Sequence, residues 1–328
     1  MTKDAVEAFC ARIGADPLLV QDAGGNVSWK DAGVLWVKAS GTRMADALRK
    51  PVFVPVDARQ ARSVARPDVL GEGASLRPSI ETMLHALMPQ RVVAHLHAIE
   101  AIAHLIQREP APALAALLED ADCAWVPYRK PGLPLAEAVA AALAARPTAD
   151  VLLLANHGVV VAGDDVDDVR GKLDALIARL RRAPRELGAA PIPQHVPTGY
   201  AVPRDVSLQA LAHDAELLAR AAHDWAICPD HVVFLGPQAP LFDDVAALSA
   251  SAVPAAQRPA AIVRGLGVFV ADAEPARRQT AETLLRCYVE TMRRVPPAAA
   301  VRSLPDDEVA ALVHWEAEAY RRAMKHQG

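Results

Sequence analysis

The chain has 328 residues, which is long enough for a large hydrophobic core and for more than one domain. Its apolar fraction of 52% and charged fraction of 23% are typical of an ordinary soluble protein. The net charge of −4 excludes the strongly basic surface of proteins that bind nucleic acid or anionic membranes. Because the sequence shows no signal-peptide core and no apolar run long enough for a membrane span, we expect a cytoplasmic protein without nucleic-acid or membrane partners.

The amino-terminal residues predict a helix, several strands and two glycine turns. Residues 4–14 have the pattern of an amphipathic helix, and residues 34–38 and 51–56 have that of strands. One turn, at residues 24–26, precedes a strand, and a second, Ser40–Thr42, follows one. Such turns can offer N–H groups and hydroxyls to an anion, although most are plain connections. Residues 46–50 predict a helical turn and residues 57–65 a helix.

An acidic residue lies near the start of the next predicted helix. Ser79 follows Pro78 in the position of an N-cap, and residues 80–88 form the predicted helix. Glu81 then lies in the first turn, where the helix N-terminus favours an ionised carboxylate and burial disfavours it. His85 shares the face of Glu81 and is either a fourth metal ligand or, as the simpler interpretation, a residue that supports the ligands from behind or packs in the core.

Three histidines have the spacing of a possible metal site. Residues 92–97 predict a strand, in which His95 and His97 point to the same face about 6–7 Å apart. His157 ends the apolar run 151–155 at a glycine and could supply a third ligand. Three histidines leave one position open, as in catalytic zinc sites. A His-x-His pair on a strand is nevertheless more often ordinary structure, so the spacing alone leaves both interpretations open.

The remaining pattern alternates helices and strands, which predicts an α/β layer fold. Predicted helices cover residues 99–107, 111–119, 135–145 and 166–182. One predicted strand ends at residues 125–128, and two more cover residues 151–155 and 159–163. Residues 184–204 are rich in proline and glycine and predict a linker. Residues 205–328 predict a second α/β region, in which 261–270 weakly repeat 152–161 with Leu266 in place of His157. Within it, residues 229–231 lie either near the pocket or in a turn with a solvated histidine.

Nucleotide-binding motifs are incomplete in this sequence. The GxG pairs at Gly71 and Gly265 lack a third glycine and the acidic residue about twenty positions later, so we expect no nucleotide cofactor. No GxSxG or Walker A pattern occurs. The four cysteines form no CxxC pair and predict neither a zinc knuckle nor a disulfide framework.

Five short motifs occur in the order found in the class II aldolase/adducin family, which the chain resembles over about half of its length. They are Gly25–Ser28, Ser40–Thr42, Pro78–Glu81, His95–His97 and Asn156–Gly158. Residues 125–132 and the Ser-Ile-Glu-Thr form of the acidic motif most resemble the aldolase half of bifunctional rhamnulose-1-phosphate aldolase/alcohol dehydrogenase proteins. On this resemblance we expect no counterpart of the dehydrogenase half within these 328 residues.

The resemblance implies a three-layer fold with a central β-sheet flanked by helices over residues 1–183, followed by the linker and the carboxyl-terminal α/β region. It implies that His95, His97 and His157 bind a divalent metal, with Zn²⁺ expected and Mn²⁺ or Co²⁺ as alternatives, and that Glu81 is the acid/base. The substrate would contact Asn26, Ser40, Gly41, Thr42 and Ser79, which in the family hold a sugar phosphate. Ile80 replaces a second serine of several aldolases, so whether the site binds a phosphate stays open. Arg43 either replaces the contact of that serine or is a solvated surface residue. Relatives are tetramers in which a neighbouring subunit completes the site, which implies a homo-oligomer and makes Tyr128 a candidate.

The predicted function is a metal-dependent lyase that cleaves or forms a C–C bond in a ketose or ketose phosphate through a metal-stabilised enediolate. An epimerase, a dehydratase or a decarboxylase could use the same metal site. An adducin-like interaction protein without catalysis is a further alternative. The presence of all three histidines and Glu81 argues against that alternative, because a scaffold has no chemical use for them.

Overall fold

The fold is taken from a computed structural model, which describes residues 2–71, 76–109, 111–120 and 122–313. Gly73 of the first GxG pair and residues 314–328 of the predicted second region lie outside the described residues. Among the described residues, no helix combines the length and the apolar character needed to cross a bilayer.

The first half of the chain builds a mixed sheet between two layers of helices. Its elements are α1 (Lys3–Gly14), β1 (Asn26–Asp31), β2 (Val34–Lys38), β3 (Phe53–Asp57), α2 (Thr82–Leu87), β4 (Val92–Leu96), α3 (Ile99–Leu105), α4 (Pro112–Glu119), β5 (Cys123–Val126), α5 (Leu133–Ala145), β6 (Val151–Leu154), β7 (Gly158–Gly163) and α6 (Val166–Leu180). The strand order is β3-β2-β1-β4-β7-β6-β5, and neighbours are antiparallel except β5 and β6.

Alternating side chains of the sheet bury two separate apolar faces. In β4, Val92 and Ala94 pack with α1, α3 and α6, whereas Val93 packs with α2 and α5. This is the period-two burial expected of a strand covered on both sides. The predicted α/β fold, with a central sheet flanked by helices and followed by a carboxyl-terminal extension, is confirmed.

The carboxyl-terminal region forms a second, smaller sheet. Its elements are β8 (Tyr200–Ala201), α7 (Ala210–His213), α8 (Ala215–His223), α9 (Pro229–Leu235), β9 (Leu241–Phe242), α10 (Val245–Ser249), β10 (Ala260–Val263), β11 (Gly267–Ala271), α11 (Pro275–Met292) and α12 (Asp306–Val313). The order is β8-β11-β10-β9, with β9 parallel to β10 and the other pairs antiparallel. Strand β8 lies inside the segment 184–204 that was predicted as a linker; the rest of that segment contains no helix or strand.

The second sheet has the strand order and directions of β4-β7-β6-β5 in the first. The β6–β7 and β10–β11 hairpins pair in the same register, and each is joined by three residues. The middle residue of each connection, Asn156 (φ 52°) or Gly265 (φ 67°), has the left-handed conformation. Matching the two hairpins places Leu266 where His157 stands. Continuing the match to the paired strands β4 and β8 places Val202 and Arg204 where His95 and His97 stand. On this correspondence the second sheet retains none of the three histidines.

The two halves of the chain pack against each other. Ile102 of α3 and Ile106, which directly follows this helix, belong to the apolar core of the carboxyl-terminal region. Beside them Glu100 forms a buried ion pair with Arg294, with Oε1 and Nε 3.1 Å apart. The second region is therefore fixed against the helix that follows His97.

Two predicted local elements differ from the structure. The helix predicted at residues 57–65 is wrong, because β3 continues to Asp57, whose carboxylate accepts the Gln60 N–H and starts only a 3-10 turn at Gln60–Arg62. The helical turn predicted at residues 46–50 is confirmed, since the N–H groups of Arg49 and Lys50 both donate to the Asp46 carbonyl, at 2.7 and 2.9 Å, directly after a 3-10 turn at Met44–Asp46. Helix α2 begins at Thr82 rather than residue 80, since the Ser79 hydroxyl accepts the Glu81 N–H and holds the preceding residues in a turn.

Candidate metal site

Three buried imidazoles converge at one edge of the first sheet. Strand β4 pairs with β7, so His97, directly after β4, lies beside the β6–β7 turn that carries His157. The ring centroids of His95, His97 and His157 lie 4.8 to 5.1 Å apart, and the candidate ligand nitrogens all lie within 4.8 Å of one another. The Nε2 atoms of His95 and His97 are 3.2 Å apart. Ligand nitrogens of a tetrahedral zinc site lie about 3.3–3.4 Å apart, so this geometry fits.

The rings are held in the form that binds a metal. His95 donates from Nδ1 to the carbonyl of Val159 at 3.0 Å, and Nδ1 of His97 lies 3.3 Å from Oδ2 of Asp230. These contacts leave both Nε2 lone pairs directed at the shared space. Burial lowers the pKa of His95, and burial lowers the pKa of His157 to about 3. Neutral imidazole is the ligating form, so at His95 and His157 no proton competes with a metal near pH 7.

The carboxylate of Glu81 closes the cluster. Its Oε2 lies 3.5 Å from Nε2 of His95, and its Oε1 lies 3.5 Å from Nε2 of His157. Burial opposes ionisation of Glu81, but His95, His157 and the hydrogen bond from Asn26 outweigh it and lower the pKa to about 2. Oε1 of Glu81 and Nδ1 of His157 are buried without a hydrogen-bond partner. Such orphaned polar atoms are costly, which is consistent with a site built to hold a ligand.

A hydrogen-bond chain behind Glu81 fixes its orientation. Asn26 donates from Nδ2 to Oε2 of Glu81 at 2.8 Å and to Oγ of Ser79 at 3.2 Å. Its Oδ1 is hydrogen-bonded to Nε2 of His85, whose Nδ1 lies 2.7 Å from Oγ of Ser28. Both ring nitrogens of His85 are therefore occupied. The alternative that His85 is a metal ligand is wrong, and the residue orients the Asn26 amide instead.

The two glycine turns border the same pocket. Its lining consists of Ala23, Gly25, Asn26, Lys38, Ser40, Gly41, Ser79, Ile80, Glu81, His97, Pro131, His157, Pro229 and Asp230. Of the predicted substrate contacts, Thr42 is not in this lining, and its hydroxyl donates to the Ala39 carbonyl at 2.8 Å. The guanidinium of Arg43 lies 2.8 Å from the carboxylate of Asp22 and forms an ion pair with it.

A buried lysine lies beneath both turns and escaped the sequence analysis. Lys38 is 2% exposed and donates from Nζ to the carbonyl of Ala23 (3.2 Å), directly before the first turn, and to that of Thr42 (2.6 Å), in the second. It brings a positive charge to the place where an anionic group would be bound. The signal in the sequence was a lysine at the end of an otherwise apolar strand, directly before Ser40–Thr42.

Asp230 lines the pocket, so the alternative that residues 229–231 lie near the pocket is confirmed, and the alternative of a turn with a solvated histidine is wrong. These residues begin α9. His231 is fully buried, with Nε2 bonded to the carbonyl of Leu284 at 2.9 Å and its ring against Trp225 and Tyr288. The only signal was a Pro-Asp pair, which suits the first turn of a helix.

Tyr128 does not belong to the pocket of its own chain. It packs against an apolar cluster that includes Ala226, Val232 and Leu304, and its hydroxyl is buried without a hydrogen-bond partner. Burial raises the pKa of this hydroxyl above its ordinary value. A contribution of Tyr128 to a neighbouring subunit stays a prediction.

Comparison with known proteins gives relatives for the first half of the chain. A curated relative, the uncharacterized oxidoreductase YuxG of Bacillus subtilis (strain 168), is 28% identical over 187 residues, which are 50% of this chain and 27% of that protein. The chain thus spans only about a quarter of that relative's length.

Solved structures match the same half. An amino-terminal class II aldolase domain from Thermoplasma acidophilum is 27% identical, with 55% of this chain and 92% of that chain covered and a TM-score of 0.47. YgbL from Klebsiella pneumoniae, described as a putative aldolase/epimerase/decarboxylase, is 22% identical, with 55% and 88% covered and a TM-score of 0.43. L-fuculose-1-phosphate aldolase from Thermus thermophilus is 18% identical, with 55% and 93% covered and a TM-score of 0.39.

The family model described as Class II Aldolase and Adducin N-terminal domain matches residues 6–181, more than half of the chain. The matched residues contain the three histidines, Glu81 and both glycine turns. The resemblance seen in the five motifs is confirmed, and the chain belongs to the class II aldolase/adducin family.

Proposed function

We propose that the protein is a metal-dependent lyase that cleaves or forms a C–C bond in a ketose or ketose phosphate. The observation that carries this proposal is the placement of the Glu81 carboxylate 3.5 Å from two of three converging imidazoles. A metal site with an adjacent ionised carboxylate is what removal of a proton next to a carbonyl requires.

The residues that would hold the metal are His95, His97 and His157. Three imidazole nitrogens suit Zn²⁺, which we propose as the ion, with Mn²⁺ and Co²⁺ as alternatives. When bound, the ion would act as a Lewis acid for negative charge that develops on substrate oxygens. Because three ligands come from the protein, a coordination position remains for the substrate.

Glu81 is the proposed acid/base. In the bond-forming direction its carboxylate removes a proton from the carbon next to the carbonyl, and in cleavage it returns a proton to that carbon. The low pKa of about 2 keeps the resting carboxylate ionised and ready to accept the proton. Asn26 holds Oε2, so the unpartnered Oε1 is the oxygen available for the transfer.

The two turns would bind the polar end of the substrate. Ser40, Gly41, Ser79 and Asn26 line the pocket with hydroxyl, amide and main-chain groups, and Lys38 adds a buried positive charge. This set supports an anionic group such as a sugar phosphate despite Ile80, while Thr42 shapes the turn through its bond to Ala39. A homo-oligomer, with Tyr128 reaching a neighbouring site, and a cytoplasmic location are retained as parts of this proposal.

The test begins with the metal content of protein purified without a nickel column. We expect about one ion per chain in the wild type and in His223→Ala, an exposed histidine outside the site, and a loss in His97→Ala. Loaded enzyme is then screened with ketose 1-phosphates and unphosphorylated ketoses for release of an aldehyde product. Glu81→Gln should lower kcat by about 10²–10⁴-fold with the metal retained.

Other products would replace the proposal. Loaded enzyme that releases CO₂, loses water or inverts a carbinol centre without cleavage would establish a decarboxylase, dehydratase or epimerase. Wild type that binds no Zn²⁺, Mn²⁺ or Co²⁺ would contradict the lyase and favour an adducin-like interaction protein.

A further inference from the structure

We infer that the carboxyl-terminal region is part of the metal site, because Asp230 positions His97 and a second contact holds the turn that carries His157. This role rests on the proposed metal site. The residues that supply it lie beyond residue 181, where the match to the family model ends.

The contact between Asp230 and His97 is buried and directional. The side chains of His97 and Asp230 are 10% and 6% exposed, and Nδ1 and Oδ2 are 3.3 Å apart. With Nδ1–H directed at the carboxylate, Nε2 of His97 faces Nε2 of His95 at 3.2 Å. A carboxylate behind a ligating imidazole fixes the tautomer and the ring angle and makes the nitrogen more basic.

Gly24 leaves this pair almost no room to turn. A Cβ atom at position 24 would lie 2.9 Å from Nδ1 of His97 and 3.1 Å from Oδ2 of Asp230. The imidazole and the carboxylate therefore pack directly against the main chain of the first glycine turn. Their mutual orientation is set by three separate parts of the chain: the end of β4, the turn and α9.

Asp230 belongs to a firmly held helix. The next residue, His231, is bonded through Nε2 to the Leu284 carbonyl of α11 at 2.9 Å, and its ring packs against Trp225 and Tyr288. Because α9 is tied to the core of the carboxyl-terminal region, the Asp230 carboxylate is a fixed point against which the His97 ring is oriented.

A second contact reaches the neighbour of His157. Asn156 adopts the left-handed conformation, with φ 52°, which is strained for most residues other than glycine. Its Nδ2 donates to the carbonyls of Ile227 at 3.0 Å and Arg302 at 2.6 Å. Both acceptors belong to the carboxyl-terminal region, so this region holds the turn that aims His157.

The direct test is the zinc affinity of Asp230→Asn, measured by competition with a chromogenic chelator. The substitution keeps the shape of the side chain and removes its charge. We expect affinity about ten- to a hundred-fold weaker than in the wild type, and an altered visible absorption spectrum of the Co²⁺-loaded protein. The matched control is Asp243→Asn, which makes the same change at a carboxylate that is 89% exposed in the same region. Its affinity and spectrum should equal those of the wild type.

Asn156→Gly tests the second contact. Glycine accepts the left-handed conformation, so the turn can persist while the bonds to Ile227 and Arg302 are lost. We expect at least a several-fold loss of zinc affinity and a changed Co²⁺ spectrum. The melting temperature of each metal-free variant is measured alongside, so that a loss of fold is separated from a loss of ligand position.

Zinc affinities within two-fold of the wild type and unchanged Co²⁺ spectra in Asp230→Asn and Asn156→Gly would overturn the inference while leaving the proposed lyase intact. Weakened zinc binding in these variants, together with a zinc-loaded wild type that cleaves no ketose, would support the inference and contradict the proposed function. A wild type that binds no zinc would overturn the inference.

Discussion

Gly24 offers a test of how closely the metal site is packed. A Cβ atom at this position would lie 2.9 Å from the carbonyl oxygen of Gln21, 2.9 Å from Nδ1 of His97 and 3.1 Å from Oδ2 of Asp230. Its backbone is not in the left-handed region, so alanine meets no conformational penalty there. The effect of Gly24→Ala therefore comes from contact with the imidazole, the carboxylate and the turn.

The size of the effect follows from these distances. Ordinary contacts begin at 3.4 Å, so the His97 ring or the turn must move by roughly half an ångström. Metal–ligand distances tolerate about 0.2 Å, and we expect zinc affinity to fall at least about ten-fold. Overpacking of this kind costs about 1–3 kcal/mol, so the free energy of unfolding of the metal-free protein should fall by that amount and the fold should persist.

The assay is zinc competition with a chelator, combined with urea unfolding of the metal-free protein. Gly171→Ala is the matched control, because no atom lies within 4 Å of its added Cβ. At that position in α6, alanine should raise the free energy of unfolding by up to about 1 kcal/mol without changing zinc affinity. Wild-type zinc affinity in Gly24→Ala would refute the idea that the site depends on this close approach.

Gly158→Ala should be more damaging, because its Cβ would overlap the carbonyl oxygen of Leu96 in β4, and neighbouring main chain cannot rotate away. We expect a loss of about 3 kcal/mol or more in urea unfolding, and an unchanged midpoint would contradict this. Acidification should destabilise the metal-free protein. Burial lowers the pKa values of His85 and His157 to about 3, so between pH 6.5 and pH 3 the unfolded chain binds more protons than the folded one. The free energy of unfolding should then fall by about 1.4 kcal/mol per pH unit for each histidine, and a flat urea profile from pH 7 to pH 5 would refute it. Lys38→Met should raise KM for phosphorylated ketoses by about ten-fold or more and affect unphosphorylated ketoses less, because a charge beneath the phosphate is lost. Equal effects on both substrate classes would contradict that role.

Local pattern and the resemblance to the family together indicated most of the cluster. The two-residue period of a strand places His95 and His97 on one face, and an apolar strand ending at a glycine places His157 at a turn. Glu81 followed from its place at the start of a helix. Each of these features depends on only a few consecutive residues. The order of the family motifs indicated that the four side chains form one site.

The parts that the sequence did not reveal depend on contacts between distant segments. Asp230 reaches His97 across 133 positions, and no local pattern records that contact. His231 looked like a solvated turn residue because its burial against α11 depends on packing of the whole region. The helix predicted at residues 57–65 failed because pairing of β3 with β2 extends the strand to Asp57, and only the 3-10 turn Gln60–Arg62 follows.

The position that carries His157 in the first sheet is occupied by an apolar residue in the second sheet. In the second sheet the position matched to His157 is Leu266, which is half-buried and packs against an apolar cluster with Phe242. In the first sheet, Glu81 and His157 each keep a buried polar atom without a partner. An unsatisfied buried group costs about 1–3 kcal/mol, and apolar replacement, as at Leu266, removes that cost. The polar set that the first half retains, with Asp230 directed at it from the second region, is the arrangement expected where a bound ligand offsets that cost.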